Sequence, residues 1–144
     1  MWWFLVLALG ACGAEKRATF KEKRDRVALA EAVQAYWDAV RWSDAGRATP
    51  FLETPEERLA LGRVIASPTA RISDVKVVQV EVGAELPEER LPERREGVAL
   101  VRVEVYDVAG TRLTVETVEQ SWVKRGPVWF VDAEKSPVDG GRPW

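Results

Sequence analysis

Two carboxylates near the C-terminus, Glu119 and Asp132, are the residues of this 144-residue chain best placed by sequence to do chemistry. A hairpin closed at Arg125-Gly126 sets Glu119 opposite Asp132. The same register sets Trp122 opposite Trp129, Val123 opposite Val128 and Ser121 opposite Phe130. Facing carboxylates repel, and burial raises the pKa of one of them. Such a pair is what a general acid/base built without histidine would look like, although a hydrated sheet end or a bridging arginine would also accommodate it. The Trp122–Trp129 pair has a structural use, because cross-strand aromatic pairs contribute ~0.2–1 kcal/mol. It could equally stack a ligand. Tyr36, Trp37 and Trp42, interleaved with Asp38, Arg41 and Asp44, form a second aromatic group, and Tyr106 shares a strand face with Arg102 and Glu104.

Other chemistries are excluded. The chain has no histidine, so Ser-His-Asp and Cys-His catalysis and most zinc chemistry are ruled out. One cysteine, Cys12, allows neither a disulfide framework nor a CxxC metal site. Neither GxGxxG nor a P-loop is present, so no cofactor and no metal are expected. A net charge of -2 does not suit phosphate neutralisation, and nucleic acid is not an expected partner.

The elements that must position these residues come in a simple order. Val27, Ala30, Val33, Trp37 and Val40 recur at helical spacing, broadened by Leu29, Ala32 and Tyr36. They predict a helix from about Phe20 to Ala45, with Gly46 as its stop. Thr54-Pro55-Glu56-Glu57 carries an N-cap, a proline at the first helical position and a glutamate at N3, opening a second helix to about Ser67. Strands follow at 71–83, 97–108 and 112–124, with a turn at Gly126-Pro127 and a short strand at 128–133. Ala99, Val101, Val103 and Val105 alternate with Leu100, Arg102, Glu104 and Tyr106. A two-residue turn at Ala109-Gly110 sets Glu104 against Val115, and one more loop residue sets it against Glu116. The repeat of Leu-Pro-Glu within 86–96 reads as a solvated loop, and the glycines read as turn residues. The fold class is therefore α+β, with N-terminal helices packed on a curved antiparallel sheet.

The first twelve residues, Met-Trp-Trp-Phe-Leu-Val-Leu-Ala-Leu-Gly-Ala-Cys, hold no charged side chain. The apolar run is too short for a span of ~20 residues and suits a signal-peptide core of ~7–15. Leu9-Gly10-Ala11-Cys12 resembles the lipobox of bacterial lipoproteins. The resemblance implies cleavage before Cys12 and acylation of Cys12. Two or more acyl chains hold a protein durably on a bilayer. With Gly13 rather than Asp after the cysteine, it implies the periplasmic face of the outer membrane. The domains are then a signal peptide at 1–11, a charged tether at 12–26, a folded domain at 27–135 and a flexible tail at 136–144. The tether has six basic and three acidic residues, the former able to meet anionic head groups.

Ala35-Tyr36-Trp37-Asp38-Ala39-Val40-Arg41-Trp42-Ser43-Asp44 and Ser121-Trp122-Val123-Lys124-Arg125-Gly126-Pro127-Val128-Trp129-Phe130-Val131 together resemble the NTF2-like superfamily of α+β cones. A cystatin-like sheet wrapped round one helix is the alternative. The NTF2-like resemblance implies a pocket lined by Tyr36, Trp37, Trp42, Tyr106, Trp122 and Trp129. The expected function is a lipid-anchored, non-catalytic envelope module. Its partners would be the membrane, through its acyl chains, and a small apolar ligand or an envelope protein. The alternative is an NTF2-like isomerase or dehydratase using Glu119 and Asp132.

Overall fold

The structure, a computed structural model, describes residues 11–66, 70–86, 94–107, 109 and 112–138. Residues 1–10 of the expected leader, most of the Leu-Pro-Glu repeat, Gly110 and 139–144 lie outside the described residues, as does the side chain of Cys12.

The first helix, α1, spans Ala11–Arg41. It begins nine residues before Phe20, and the expected tether at 12–26 is helical throughout. Charged residues are compatible with helix when they occupy its solvent faces, and Lys, Arg and Glu are good helix formers. The stop is not Gly46. Ser43 adopts φ 55 and closes the helix, its N–H donating to Val40 O (3.0 Å) and that of Asp44 to Ala39 O (2.8 Å). These two bonds are the paired closures of a Schellman cap, built here on serine. Asp44 then caps the short α2 (Ala45–Ala48) through its carboxylate, which accepts from Arg47 N. A 3-10 turn, Thr49–Phe51, leads to α3 (Pro55–Ala66). The expected capping box is present: Thr54 Oγ1 accepts from Glu57 N, and Glu57 Oε2 accepts from Thr54 N, both at 3.2 Å.

Four strands form an antiparallel meander, β1 (Ala70–Leu86), β2 (Arg94–Asp107), β3 (Leu113–Arg125) and β4 (Val128–Val131), in the order β1-β2-β3-β4. The helices pack on this sheet, giving the α+β class. Strand β1 explains its own irregular hydrophobic spacing. Ile72, Val75, Val77, Val80 and Val82 pair with Val105, Val103, Val101, Ala99 and Gly97. Register shifts between Ile72 and Asp74 and between Val77 and Gln79 return Val75 and Val80 to the helix side, and a third falls between Val82 and Glu85. Val78, left over in one bulge, is exposed. Such bulges also bend and twist a strand. In β2 the expected alternation holds, with Ala99, Val101, Val103 and Val105 all buried. Glu104 pairs with Val115, the register of the two-residue turn.

The last hairpin corrects the expected register. Arg125 pairs with Val128, Lys124 with Trp129, Val123 with Phe130 and Trp122 with Val131, so the turn is Gly126-Pro127. Gly126 has φ +56, as the first position of a type II′ turn requires. A turn at Arg125-Gly126 would need Pro127 to donate an N–H back to Lys124, and proline has none. The tail is not free at its start either. Ser136 Oγ accepts from Ser121 N (2.8 Å), and Val138 packs on the core.

Two contacts lock α1 onto β2 and β3. Gly97 is a buried strand residue rather than a turn residue; a Cβ there would overlap the Leu29 side chain and press on the Trp129 ring at 3.1 and 3.2 Å. Asp25 of α1 is 2% exposed and lies between Arg95 of β2 (3.0 Å) and Lys124 of β3 (2.9 Å), themselves cross-strand partners. The carboxylate keeps two cations from facing each other in a poorly solvated site.

Asp25→Ala should cost about 3–5 kcal/mol, as removing one partner of a buried ion cluster does, measured by urea unfolding. A loss as small as that of an exposed pair would show the cluster to be hydrated. Gly97→Ala should destabilise by about 1–3 kcal/mol through overpacking, and Leu29→Ala in the same chain should recover part of that loss.

Candidate functional site

The carboxylate pair does not form. Glu119 pairs with Leu100 of β2 and is exposed on the outer face of the sheet. Asp132 follows β4, its N–H donating to Ser121 O, and it is buried. The one ion pair it makes among the described residues is with Lys135, at 3.8 Å. The shift of two residues in the hairpin is the reason, since it sets Ser121 rather than Glu119 against Asp132. Trp122 and Trp129 likewise are not opposite, although both face the helix.

Four of the six expected pocket aromatics fill the core instead of lining a space. Tyr36, Trp37 and Trp122 are fully buried and Trp129 nearly so. Tyr36 meets Trp37, Phe51 and Trp122 edge to face, with ring centroids 5.8–6.0 Å apart, a favoured aromatic geometry. Gln120 sits among them, buried. Its side-chain oxygen accepts from the indole N–H of Trp37 (3.0 Å) and from that of Trp122 (3.1 Å). Burial pushes the Tyr36 phenol well above its ordinary value, and a hydrogen bond with the Gln120 side chain pulls it back only in part. The group is thus neutral, and it binds the core together.

The other two aromatics meet at a real concavity. An open cleft of about 260 Å³ lies where α1 ends and β1 begins. Arg41, Trp42, Ser43, Arg71 and Tyr106 bring polar and aromatic groups to it, and Val40, Ile65 and Ile72 form apolar parts of its wall. The cap at Ser43 turns Trp42 outward, leaving it 71% exposed, with the Arg41 guanidinium 5.4 Å from its ring centroid. Arg41 also reaches Asp74 at 3.6 Å. Arg71 and Tyr106 are cross-strand partners on β1 and β2. The cleft offers flat apolar surface and two guanidinium groups, which suits a flat ligand carrying negative charge.

Sequence reasoning missed Gln120, Asp25, Arg95 and Lys124. Each is a polar residue in phase with buried ones: Gln120 and Lys124 with Trp122, Arg95 with Ala99 and Val101, Asp25 with Leu29 and Val33. That phase was the available signal. Among the described residues no group of three or more His, Cys, Asp or Glu is placed to hold a metal ion, and no helix is long and apolar enough to cross a membrane. Comparison with protein-family models, with curated proteins and with solved structures finds no match to this chain.

The raised Tyr36 pKa fixes a pH dependence. Above pH ~10 the unfolded chain releases this proton while the folded chain keeps it, so stability falls with rising pH, by up to ~1.4 kcal/mol per unit. Tyr36→Phe lacks this term. The stability gap between the two proteins, from urea midpoints, should therefore narrow between about pH 9 and 11. A constant gap would mean that the phenol ionises freely in the folded state.

Proposed function

We propose that the chain is a lipid-anchored protein of the bacterial cell envelope that binds rather than catalyses. The observation that carries this reading is Leu9-Gly10-Ala11-Cys12 at the end of an uncharged apolar run. Cys12 would carry the acyl chains, and Gly13 favours the periplasmic face of the outer membrane. Helix α1 begins at Ala11, so the anchor would pass directly into a rigid element. Thirty residues of helical rise, ~45 Å, separate Cys12 from Trp42 at the cleft.

Binding is favoured over catalysis by the separation of Glu119 from Asp132 and by the lack of histidine. The cleft beside Trp42 and Tyr106 is the proposed ligand site, for a small, flat, largely apolar ligand that carries a negative charge, or for a segment of an envelope protein with the same chemistry. We read the domain as NTF2-like in plan, with the interior of the cone taken up by the Tyr36–Trp37–Trp122 cluster. This is supported by the long helix laid on an antiparallel meander.

Mass spectrometry of the protein from bacterial membranes should find a diacylated or triacylated cysteine as the first residue. Cys12→Ser should accumulate as precursor or appear in the soluble fraction. An intact Met1 with an unmodified Cys12 would overturn the anchor.

A further inference from the structure

The N-terminal half of α1 sorts its charges by face. Arg17, Phe20, Arg24 and Val27 follow one another at spacings of three and four, and Lys23 stands three after Phe20 and four before Val27, so all five share the side of the helix turned away from the sheet. All five are exposed, Phe20 at 70% and Val27 at 53%. No carboxylate pairs with Arg17, Lys23 or Arg24 among the described residues. The two acids between Arg17 and Val27 lie elsewhere: Asp25 is buried against Arg95 and Lys124, and Glu22 pairs with Arg26 at 2.6 Å. The same face changes character further along, where Glu31 and Asp38 take the outward positions.

We infer that this face, from Arg17 to Val27, is a docking surface for an anionic phospholipid bilayer. Bases bracketing exposed apolar side chains on one helix face are the composition of an interfacial helix, whose apolar groups enter the head-group region while the cations meet lipid phosphates. Charge complementarity is strict over this stretch, with three cations and no anion on the face. The choice of a lipid partner rests on the anchored reading, because Phe20 lies only ~12 Å of helix beyond Cys12. The acids at 31 and 38 limit the contact, since an anionic surface repels them. The contact thus falls on the first half of α1, and the helix as a whole tilts away from the bilayer towards its C-terminal end, carrying the Trp42 cleft clear of the lipid.

The test uses the full chain with Cys12→Ser, which removes its one cysteine, together with Phe20→Cys, Val27→Cys or Glu31→Cys, each labelled with an environment-sensitive fluorophore. Flotation first selects the vesicle-bound fraction of every variant, so the probe's surroundings and not binding are the readout. On an equal mixture of phosphatidylcholine and phosphatidylglycerol, probes at 20 and 27 should shift to the blue and brighten severalfold, and the probe at 31 should not. Pure phosphatidylcholine, about 0.5 M salt, or the triple reversal Arg17→Glu, Lys23→Glu, Arg24→Glu should abolish the shift. Circular dichroism checks that these exposed changes leave the helix intact. Water-like emission at 20 and 27 on the anionic vesicles, or an equal shift on neutral ones, overturns the inference. The mass of Cys12 judges the anchor separately, so the two readings fail independently.

Discussion

Trp37 on α1 and Trp122 on β3 both donate their indole N–H to the side-chain oxygen of Gln120, which is sealed from water by the rings it serves. An indole N–H buried without an acceptor costs about 1–3 kcal/mol. One amide oxygen therefore fixes the position of the helix on the sheet for two of the largest side chains in the core. The edge-to-face packing of Tyr36 with Trp37, Phe51 and Trp122 follows from that placement, and so does the burial of the phenol.

Twelve residues earlier on the same helix, ~18 Å along its axis, Asp25 makes a second polar clamp with Arg95 and Lys124. Leu29 and Val33 fill the interval, and Gly97 lets Leu29 and Trp129 come close to the strand. Aliphatic packing alone tolerates sliding of a helix by a turn. Two directional clamps do not, because a one-turn shift would strand a carboxylate, two cations and an indole N–H together. The ion cluster is weak evidence for net stability, given its desolvation cost, and its consequence is alignment. The same alignment determines what the surface presents. It turns the basic, Phe20-bearing side of α1 outward and sets the Ser43 cap, with Trp42, beside Arg71 and Tyr106.

Much of this architecture was legible in the residues. Thr54-Pro55-Glu56-Glu57 announces the start of α3, because capping is local chemistry. The alternation from Ala99 to Tyr106 reveals which side of β2 is buried. The ends of α1 were less legible: the charged stretch before Val27 gives no apolar stripe, and a serine in the left-handed region carries a weaker signal than a glycine. The last hairpin was misread by two residues, although the missing N–H of Pro127 held the answer. That slip alone created the apparent carboxylate pair at Glu119 and Asp132. Strand β1 was recognisable as a strand, but its bulges were not, since they appear only when its valines must match those of β2.

The sequence by itself determined the elements, their order, the buried side of β2 and the cysteine on which anchoring would depend. These rest on local rules of capping, periodicity and turn chemistry. Tertiary structure decided which aromatics are core and which are surface: Tyr36, Trp37, Trp122 and Trp129 against Trp42 and Tyr106. It also decided that Asp25, Arg95, Lys124 and Gln120 belong inside. The fate of a polar or aromatic side chain depends on what faces it across the fold, and only the packed helix and sheet supply that partner.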